Sequence, residues 1–217
     1  IYADSMTGDY CGKIYYKKLH KGYLLNYTCK NIFKIWRPLR DLLSGGCLPT
    51  CITVADIGCG PGSLAIGIVE FYKMLAERYQ NIQFAIKLVL VDEEIKFLNY
   101  AQSLIKEEIQ HLPANLKVVV EDVKHESIDD EVDAEKFPLC DLITFGNFYT
   151  FNEGKDTEIA VAIIDKLKKR LKKEGSIVII EPAYRKSIIN LDNIIKYLIS
   201  NLAWNEYSPF NNECANA

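Results

Sequence analysis

The residues best suited to chemistry in this chain lie in the stretch VADIGCGPG, residues 54 to 62. Asp56 is followed at alternate positions by Gly58, Gly60 and Gly62. Glycines let the backbone adopt positive φ angles and approach a ligand closely, and the N–H groups of a following helix point into the same space. A carboxylate at this position would repel a phosphate. The stretch therefore predicts a pocket that attracts a cation or the amine of a ligand.

The flanking sequence predicts a strand before this turn and a helix after it. Residues 52–55 form a short apolar strand, and an amphipathic pattern runs from Ser63 to about Tyr79. Strand, glycine turn and helix form the architecture of a nucleotide pocket. The alternative is a glycine-rich turn that only connects the strand to the helix.

A second strand within IQFAIKLVLVDEE is predicted to end at Asp92, next to Glu93. In nucleoside-binding α/β folds, an acidic residue at this point accepts hydrogen bonds from both ribose hydroxyls. Asp92, together with Glu93, is therefore predicted to contact a nucleoside. The next helix, about Ile95 to His111, also needs an N-cap near this position, so capping by Asp92 is the alternative.

The spacing Asp-x-Gly-x-Gly-x-Gly resembles the first motif of the class I S-adenosylmethionine-dependent methyltransferases, and it differs from the dinucleotide pattern Gly-x-Gly-x-x-Gly. The resemblance implies S-adenosyl-L-methionine as the cofactor. It also implies a Rossmann-like α/β fold, with a mostly parallel sheet and helices on both faces. In that family the glycine turn lies under the methionine part of the cofactor, and the acidic residue, here Asp56, contacts its amino group.

The same family places a carboxylate after the third strand, where it bonds the exocyclic amine of adenine while an apolar neighbour flanks the ring. A third strand is predicted in NLKVVVED, ending at Glu121, Asp122 and Val123. The resemblance therefore implies an adenine contact for Asp122 and Val123. The acidic stretch that follows lacks the glycine and distal glutamate of a calcium loop, and no metal site is predicted.

A fourth strand, Asp141 to Phe145, leads into the loop GNFYTFNE at the edge where ligands bind in open α/β sheets. The residues predicted to line this edge are Gly146 and Asn147 for the cofactor, and Asn152, Glu153 and Glu181 for the methyl acceptor. Methyl transfer requires mainly the alignment of a nucleophile with the methyl group, and it requires a base only when that nucleophile must lose a proton. Glu153 is the predicted proton acceptor.

Further elements are predicted along the second half of the chain. A basic helix runs from about Thr157 to Lys173, and Gly175 ends it before a fifth strand in SIVIIEP. A helix from about Ser187 to Leu202 precedes a sixth strand in AWNEYSPF. No segment corresponds to the seventh strand that completes the sheet of this family. Either the chain is truncated there or the sheet edge is covered in another way.

Residues 1–46 are predicted to form an N-terminal helical extension, with the helix at residues 10–43, and residues 47–217 the Rossmann-like domain. The first 50 residues hold 8 of the 26 lysines and arginines but only 3 of the 29 acidic residues. Aromatic and basic residues alternate along this helix, which favours RNA binding through phosphate contacts and base stacking. The alternative is a helical cap whose apolar residues, at helical spacing, pack on the domain.

From about Gly22 onward, the order of motifs resembles a narrower group, the ribosomal small-subunit methyltransferase-like family of bacteria and mitochondria. The resemblance rests on YLLNYTCKNIFKIWRPLRDLL, DIGCGPGS, GNFYTFNE and VIIEPAYRKSIINLDNIIKYL. It implies RNA, rRNA foremost, as the methyl acceptor and the ribosomal small subunit as a partner. The alternatives are a non-catalytic ribosome assembly or RNA-binding factor with the same fold, and a methyltransferase of a small molecule or a protein. Some members hold an iron–sulfur cluster beyond a Pro-Cys pair, whereas here Phe210 follows Pro209 and only Cys214 lies nearby.

The composition excludes several classes of protein. No apolar run is long enough to span a membrane, and the first residues lack the apolar stretch of a signal peptide, so a cytoplasmic location is predicted. Seven cysteines without a Cys-x-x-Cys pair favour reduced thiols over a disulfide framework or a structural zinc site.

Overall fold

The computed structural model describes residues 20–128, 132–147, 157–181, 191–197 and 200. Its centre is a parallel sheet of five strands, β1 Cys51–Ile57, β2 Phe84–Asp92, β3 Leu116–His125, β4 Cys140–Gly146 and β5 Leu171–Ile180. The strand order is β3-β2-β1-β4-β5. This is the order of the doubly wound α/β fold, in which ligands bind where the order reverses, between β1 and β4. The predicted Rossmann-like fold is confirmed.

Helices cover both faces of the sheet because its central strands are apolar on both sides. Along β2, Leu88 and Leu90 belong to one buried cluster, whereas Val89 and Val91 belong to the other. This alternation with a period of two is the geometry of a strand that is buried on both faces. The first cluster contains residues of two helices, which we call α4 (Ser63–Arg78) and α5 (Ile95–Ile109). The second contains residues of α6 (Thr157–Lys168), and also Ile194, from the helical residues 191–197.

The predicted boundary between the basic helix and the fifth strand is wrong. Helix α6 ends at Lys168, and Leu171 is already in β5, opposite Cys140. Leu142 then pairs with Ser176, so the residues between Leu171 and Ser176 form an irregularity at the start of β5. Pairing with β4 is a tertiary interaction, and it overrides the helical preference of the lysine-rich run.

The N-terminal segment, His20–Ser44, is helical but irregular, and residues 10–19 of the predicted helix lie outside the described residues. The segment consists of α1 (His20–Tyr23), a π-helix (Leu24–Thr28), α2 (Cys29–Ile32), a 3₁₀-helix (Phe33–Ile35) and α3 (Trp36–Ser44). Pro38 explains the 3₁₀ turn. It has no N–H to donate to the carbonyl of Lys34, and its ring crowds that carbonyl, so the preceding turn tightens.

This N-terminal segment packs on α4 at Gly67. A Cβ at that position would lie 2.0 Å from the carbonyl oxygen of Ile32 and 2.7 Å from Cγ2 of Ile35. Trp36 Nε1 donates a hydrogen bond to the Gly67 carbonyl at 3.0 Å. Ile35 and Leu39 are fully buried. The apolar side of the segment therefore covers the domain, as the cap alternative predicts, and its opposite side remains exposed.

Three further expectations from the sequence concern membrane-spanning helices, the state of the cysteines and a sixth strand. Within the described ranges, no helix has both the length and the apolar character needed to cross a membrane. The described cysteines are free thiols at positions 29, 47, 51, 59 and 140. The predicted sixth strand, AWNEYSPF, lies outside the described residues.

Candidate functional site

The candidate site lies at the carboxyl ends of β1 and β4. Asp56 is the penultimate residue of β1. It therefore belongs to the strand, whereas the sequence analysis placed it in the turn. Gly58, Gly60 and Gly62 follow it with φ angles of 63°, 54° and 80°. Side chains other than glycine are strained at such angles, which explains the three glycines. At Gly62 a Cβ would also lie 2.9 Å from Ala101 Cβ, so this glycine permits close packing of the turn on α5.

A cavity of about 370 Å³, counted with the part that is open to solvent, lies next to this turn. Its lining comes from the N-terminal segment, the end of β1, the glycine turn, the start of α4 and the ends of β4 and β5: Asn31, Lys34, Asp56, Gly58, Cys59, Pro61, Ser63, Leu64, Gly146, Asn147 and Ile180. Asp56, Gly58, Gly146 and Asn147 were all predicted cofactor contacts, and the structure places them together. Segments that are distant in the sequence therefore meet at one pocket.

Asp56 is the buried acidic group of this cavity. Its Oδ1 accepts a hydrogen bond from Thr144 Oγ1 at 2.7 Å, whereas Oδ2 is buried with no partner of hydrogen-bonding geometry among the described residues. Burial raises the pKa of Asp56 to about 7, the Thr144 hydroxyl and the nearby Ala65 amide lower it, and the Asp92 charge raises it further. A buried carboxylate with one unpaired oxygen favours a positively charged hydrogen-bond donor beside it.

Asn147 provides a second acceptor in the same cavity. Its φ angle is 54°, a left-handed conformation that costs a non-glycine residue about 1 to 2 kcal/mol. The Asn147 N–H donates to the Ile180 carbonyl at 2.7 Å, and its side-chain Oδ1 is buried without a partner within the described part of the chain. Backbone strain of this kind is found preferentially at functional sites. Asp56 and Asn147 thus place two unpaired acceptor oxygens where a ligand with several donors, such as an ammonium group, fits.

Asp92 connects the glycine turn to the end of β2. It is buried, its Oδ2 accepts a hydrogen bond from the Gly60 N–H at 2.8 Å, and its Oδ1 accepts one from the Glu94 N–H at 2.8 Å. Glu94, and not Asp92, is the N-cap of α5. Glu93 is exposed. The geometry positions Asp92 beside the turn, and the ribose contact predicted for Asp92 and Glu93 stays a prediction.

Asp122 is not at the end of its strand, so the predicted boundary of β3 is wrong. The strand continues to His125, and Asp122 pairs with Val89 of β2. A register shift separates Leu88 from Val89 in this pairing, which the alternation of residues along β3 does not reveal. The Asp122 carboxylate is exposed and lies 2.6 Å from Lys124 Nζ, an interaction that lowers its pKa. Neither Asp122 nor Val123 lines the cavity, and their predicted adenine contact stays a prediction.

The predicted methyl-acceptor residues are only partly described. Asn152 and Glu153 lie outside the described residues. Glu181 follows β5 directly after Ile180, a residue of the cavity wall, and is half-buried. Burial lowers the pKa of Lys34, and the charge of Glu181 offsets part of that effect. Glu181 is therefore close enough to the cavity mouth to influence a cation there.

Seven residues of the cavity lining were not among the predicted site residues: Asn31, Lys34, Cys59, Pro61, Ser63, Leu64 and Ile180. Asn31 and Lys34 belong to the N-terminal segment, which was predicted to be a cap or an RNA-binding surface, and both line the cavity. Pro38 was a usable signal, because a proline within a helical pattern predicts a distorted turn four residues earlier. No local pattern indicated that this turn would face the glycine loop.

Comparisons with known proteins give structural neighbours but no family assignment. No family model matches the sequence, and no curated protein matches it. A solved S-adenosylmethionine-dependent methyltransferase from Clostridium acetobutylicum is 16% identical, with a TM-score of 0.48, and the alignment covers 89% of this chain and 64% of that one. The sugar N-methyltransferase KedS8 from a Streptoalloteichus species is 14% identical, with a TM-score of 0.44 and coverage of 79% and 55%.

A third neighbour is PKMT2 from Rickettsia typhi, solved in complex with AdoHcy. It is 23% identical, with a TM-score of 0.42, and the alignment covers 64% of this chain and 24% of that one. The chain spans less than two thirds of each of these three proteins. All three TM-scores are below 0.5 and all three identities are below 25%, so the activity has to be argued from the residues of the site.

Proposed function

We propose that this chain binds S-adenosyl-L-methionine and is a methyltransferase. The observation that supports this most directly is the buried carboxylate of Asp56, a residue that lines the cavity beside a glycine turn at the switch point of the sheet, and whose Oδ2 has no hydrogen-bond partner among the described residues. A nucleotide phosphate would be repelled by this carboxylate, whereas the ammonium group of an amino acid would pair with it. The donor and acceptor chemistry of the described residues fits the amino-acid end of this cofactor.

When bound, S-adenosyl-L-methionine supplies a methyl group that its sulfonium has already activated. The residues of the chain then have to bind the cofactor, orient its methyl group towards the acceptor and exclude water. Asp56 and Asn147 would accept hydrogen bonds from the ammonium group, and Asp92 holds the glycine turn through the Gly60 N–H. Leu64 and Ile180 provide apolar wall to the cavity.

The methyl-acceptor side of the site is proposed from position in the chain. Asn152 and Glu153 come after β4 in the sequence, and Glu181 comes after β5, so all three follow strands that end at the cavity. Glu153 is our candidate for accepting a proton from a nucleophile that has to lose one.

Isothermal titration calorimetry of the whole chain tests the cofactor proposal. S-adenosylhomocysteine is expected to bind with one-to-one stoichiometry. ADP, which carries the same adenosine but ends in a diphosphate, is expected to give no heat of binding because Asp56 repels it. Binding of ADP in preference to S-adenosylhomocysteine would show a phosphate pocket and would overturn the proposal.

We also propose RNA as the methyl acceptor, with rRNA and the ribosomal small subunit as the leading candidates. The support is the outer side of the N-terminal segment, opposite the buried Ile35 and Leu39. Phe33 is 59% exposed there, and the side chain of Arg40 is 66% exposed. Lys30 is exposed on the same segment. Exposed cations beside an exposed ring suit phosphate contacts and base stacking.

Salt titration of RNA binding tests this second proposal. The affinity of the wild-type chain is expected to fall steeply with salt, and Lys30→Glu with Arg40→Glu is expected to reduce the slope of log K against log salt by about one per lost phosphate contact. Lys106→Glu on α5 with Lys117→Glu on β3 makes the same charge change elsewhere on the surface and is expected to leave the slope unchanged. RNA binding without binding of S-adenosylhomocysteine would favour the non-catalytic alternative, and cofactor binding without RNA binding would favour a small-molecule or protein acceptor.

A further inference from the structure

The cavity receives groups of opposite charge from separate parts of the fold. Asp56 enters it from the central strand β1, and Lys34 from the N-terminal segment, which lies on α4. Within the described ranges, the Lys34 ammonium makes no hydrogen bond and no ion pair shorter than 4 Å. Asn31, whose amide is also a hydrogen-bond donor, lines the cavity from the same segment and is buried.

The backbone around Lys34 is held on both sides. On its N-terminal side, the Ile32 carbonyl lies against Gly67, where there is no room for a Cβ. On its C-terminal side, Ile35 is fully buried and Trp36 Nε1 donates to the Gly67 carbonyl. Lys34 therefore occupies a fixed position in the 3₁₀ turn that Pro38 imposes. A long side chain on a fixed backbone loses less freedom when it binds a ligand than one on a mobile tail.

We infer that Lys34 binds the α-carboxylate of the cofactor's amino-acid part, while Asp56 binds its ammonium group. This inference rests on the proposed function and adds a specificity-determining residue to it. A zwitterionic amino acid presents two opposite charges a few bonds apart, and the cavity presents the two complementary charges. Nucleosides without that amino-acid part would gain no binding affinity from Lys34.

Lys34 is an exposed residue whose ammonium is only partly surrounded by protein, so an anionic ligand can reach it. Burial lowers its pKa, and the charge of Glu181 raises it without fully offsetting the effect of burial. A carboxylate ligand beside the ammonium would offset it further, because an opposite charge favours the charged form. Ser63 and Leu64, at the N-terminus of α4, are the competing location for that carboxylate, since helix N-termini also attract anions.

Two ligands and three variants separate these possibilities. S-adenosylhomocysteine contains the amino-acid part, and 5′-methylthioadenosine has the same thio-nucleoside without it. We expect Lys34→Met to lower the affinity for S-adenosylhomocysteine by about ten- to a hundredfold, which is the usual effect of losing a charged hydrogen bond. The affinity for methylthioadenosine should stay within twofold of the wild-type value. Lys34→Arg keeps the charge and is expected to recover most of the affinity. Lys106→Met, at an exposed lysine on α5 outside the cavity, is the matched control and should leave the affinity for both ligands unchanged.

The outcomes distinguish this inference from the proposed function. If S-adenosylhomocysteine binds the wild-type chain and Lys34→Met binds it equally well, the carboxylate lies elsewhere and the inference is overturned, while the cofactor proposal stands. An equal loss of affinity for both ligands would show that the substitution disturbs the whole cavity, and this result would also overturn the inference. If neither ligand binds the wild-type chain, the proposed function itself fails and the inference fails with it. Thermal unfolding of each variant verifies that the affinities refer to folded protein.

Discussion

Asp56→Asn is expected to weaken the binding of S-adenosylhomocysteine by at least about a hundredfold, the effect of removing one partner of a buried charge pair. The change is nearly isosteric. An asparagine Oδ1 still accepts the hydrogen bond from Thr144 Oγ1, so the local shape is preserved. What disappears is the negative charge of the carboxylate, whose Oδ2 has no hydrogen-bond partner among the described residues. Calorimetry at pH 8, where the wild-type carboxyl is mostly ionised, measures the loss.

Asp141→Asn is the matched control for this variant. Asp141 lies at the opposite end of β4, where its carboxylate accepts hydrogen bonds from the Thr53 N–H and Lys172 Nζ, both at 2.7 Å. Its replacement is expected to lower the free energy of unfolding and to leave the affinity for S-adenosylhomocysteine unchanged. If Asp56→Asn binds within threefold of the wild type, the ammonium contact assigned to Asp56 is wrong.

The same carboxyl links the stability of the ligand-free chain to pH. Its folded pKa of about 7 lies above its ordinary value of 3.8, so the folded state binds the proton more tightly than the unfolded state. Stability from this group is therefore complete below about pH 4 and is lost as the pH rises through 7. The shift corresponds to about 4 kcal/mol at 1.36 kcal/mol per unit. Urea unfolding at pH 4 and at pH 8 measures this effect. Between these pH values, the free energy of unfolding of the wild type should fall by about that amount more than that of Asp56→Asn.

Gly67→Ala is expected to detach the N-terminal segment from α4. In an open helix interior this substitution stabilises by about 1 kcal/mol, because alanine has the higher helix propensity. Here the new Cβ would lie 2.0 Å from the Ile32 carbonyl oxygen, a backbone atom that only a shift of the whole segment can move away. We therefore expect destabilisation by about 1 to 3 kcal/mol, as in other overpacked cores. The affinity for S-adenosylhomocysteine should fall as well, because Asn31 and Lys34 leave the cavity with the segment.

Urea unfolding followed by Trp36 fluorescence, in a Trp204→Phe background, measures both the loss of stability and the release of the segment. Gly45→Ala is the matched control, since a Cβ there would have its nearest neighbour, the Asp41 carbonyl oxygen, at 3.5 Å. That variant is expected to stay close to the wild type in stability and affinity. A Gly67→Ala protein as stable as the wild type would show that the segment does not pack on α4 in solution.

Most of the central fold could be predicted because its signals are local. The apolar run of β2 specifies a strand buried on both faces, and the alternation of Leu88 to Val91 between two clusters follows from the geometry of any strand. The glycines after Asp56 likewise predict a turn with positive φ angles, which the structure confirms at all three positions. Predictions failed where a strand end depended on its neighbour, as in β3 and β5, because pairing register is set across the sheet and not along one strand.

By itself, then, the sequence determined the parallel sheet, the glycine turn and the presence of a carboxylate beside that turn. Only the tertiary structure decided that Lys34 and Asn31 share the cavity with Asp56 and that Asp122 lies outside it. The physical reason is the range of the interactions. Backbone conformation and apolar periodicity act over a few residues, whereas the contact of Ile32 with Gly67 joins positions that are far apart along the chain, and it exists only once the N-terminal segment has packed on α4.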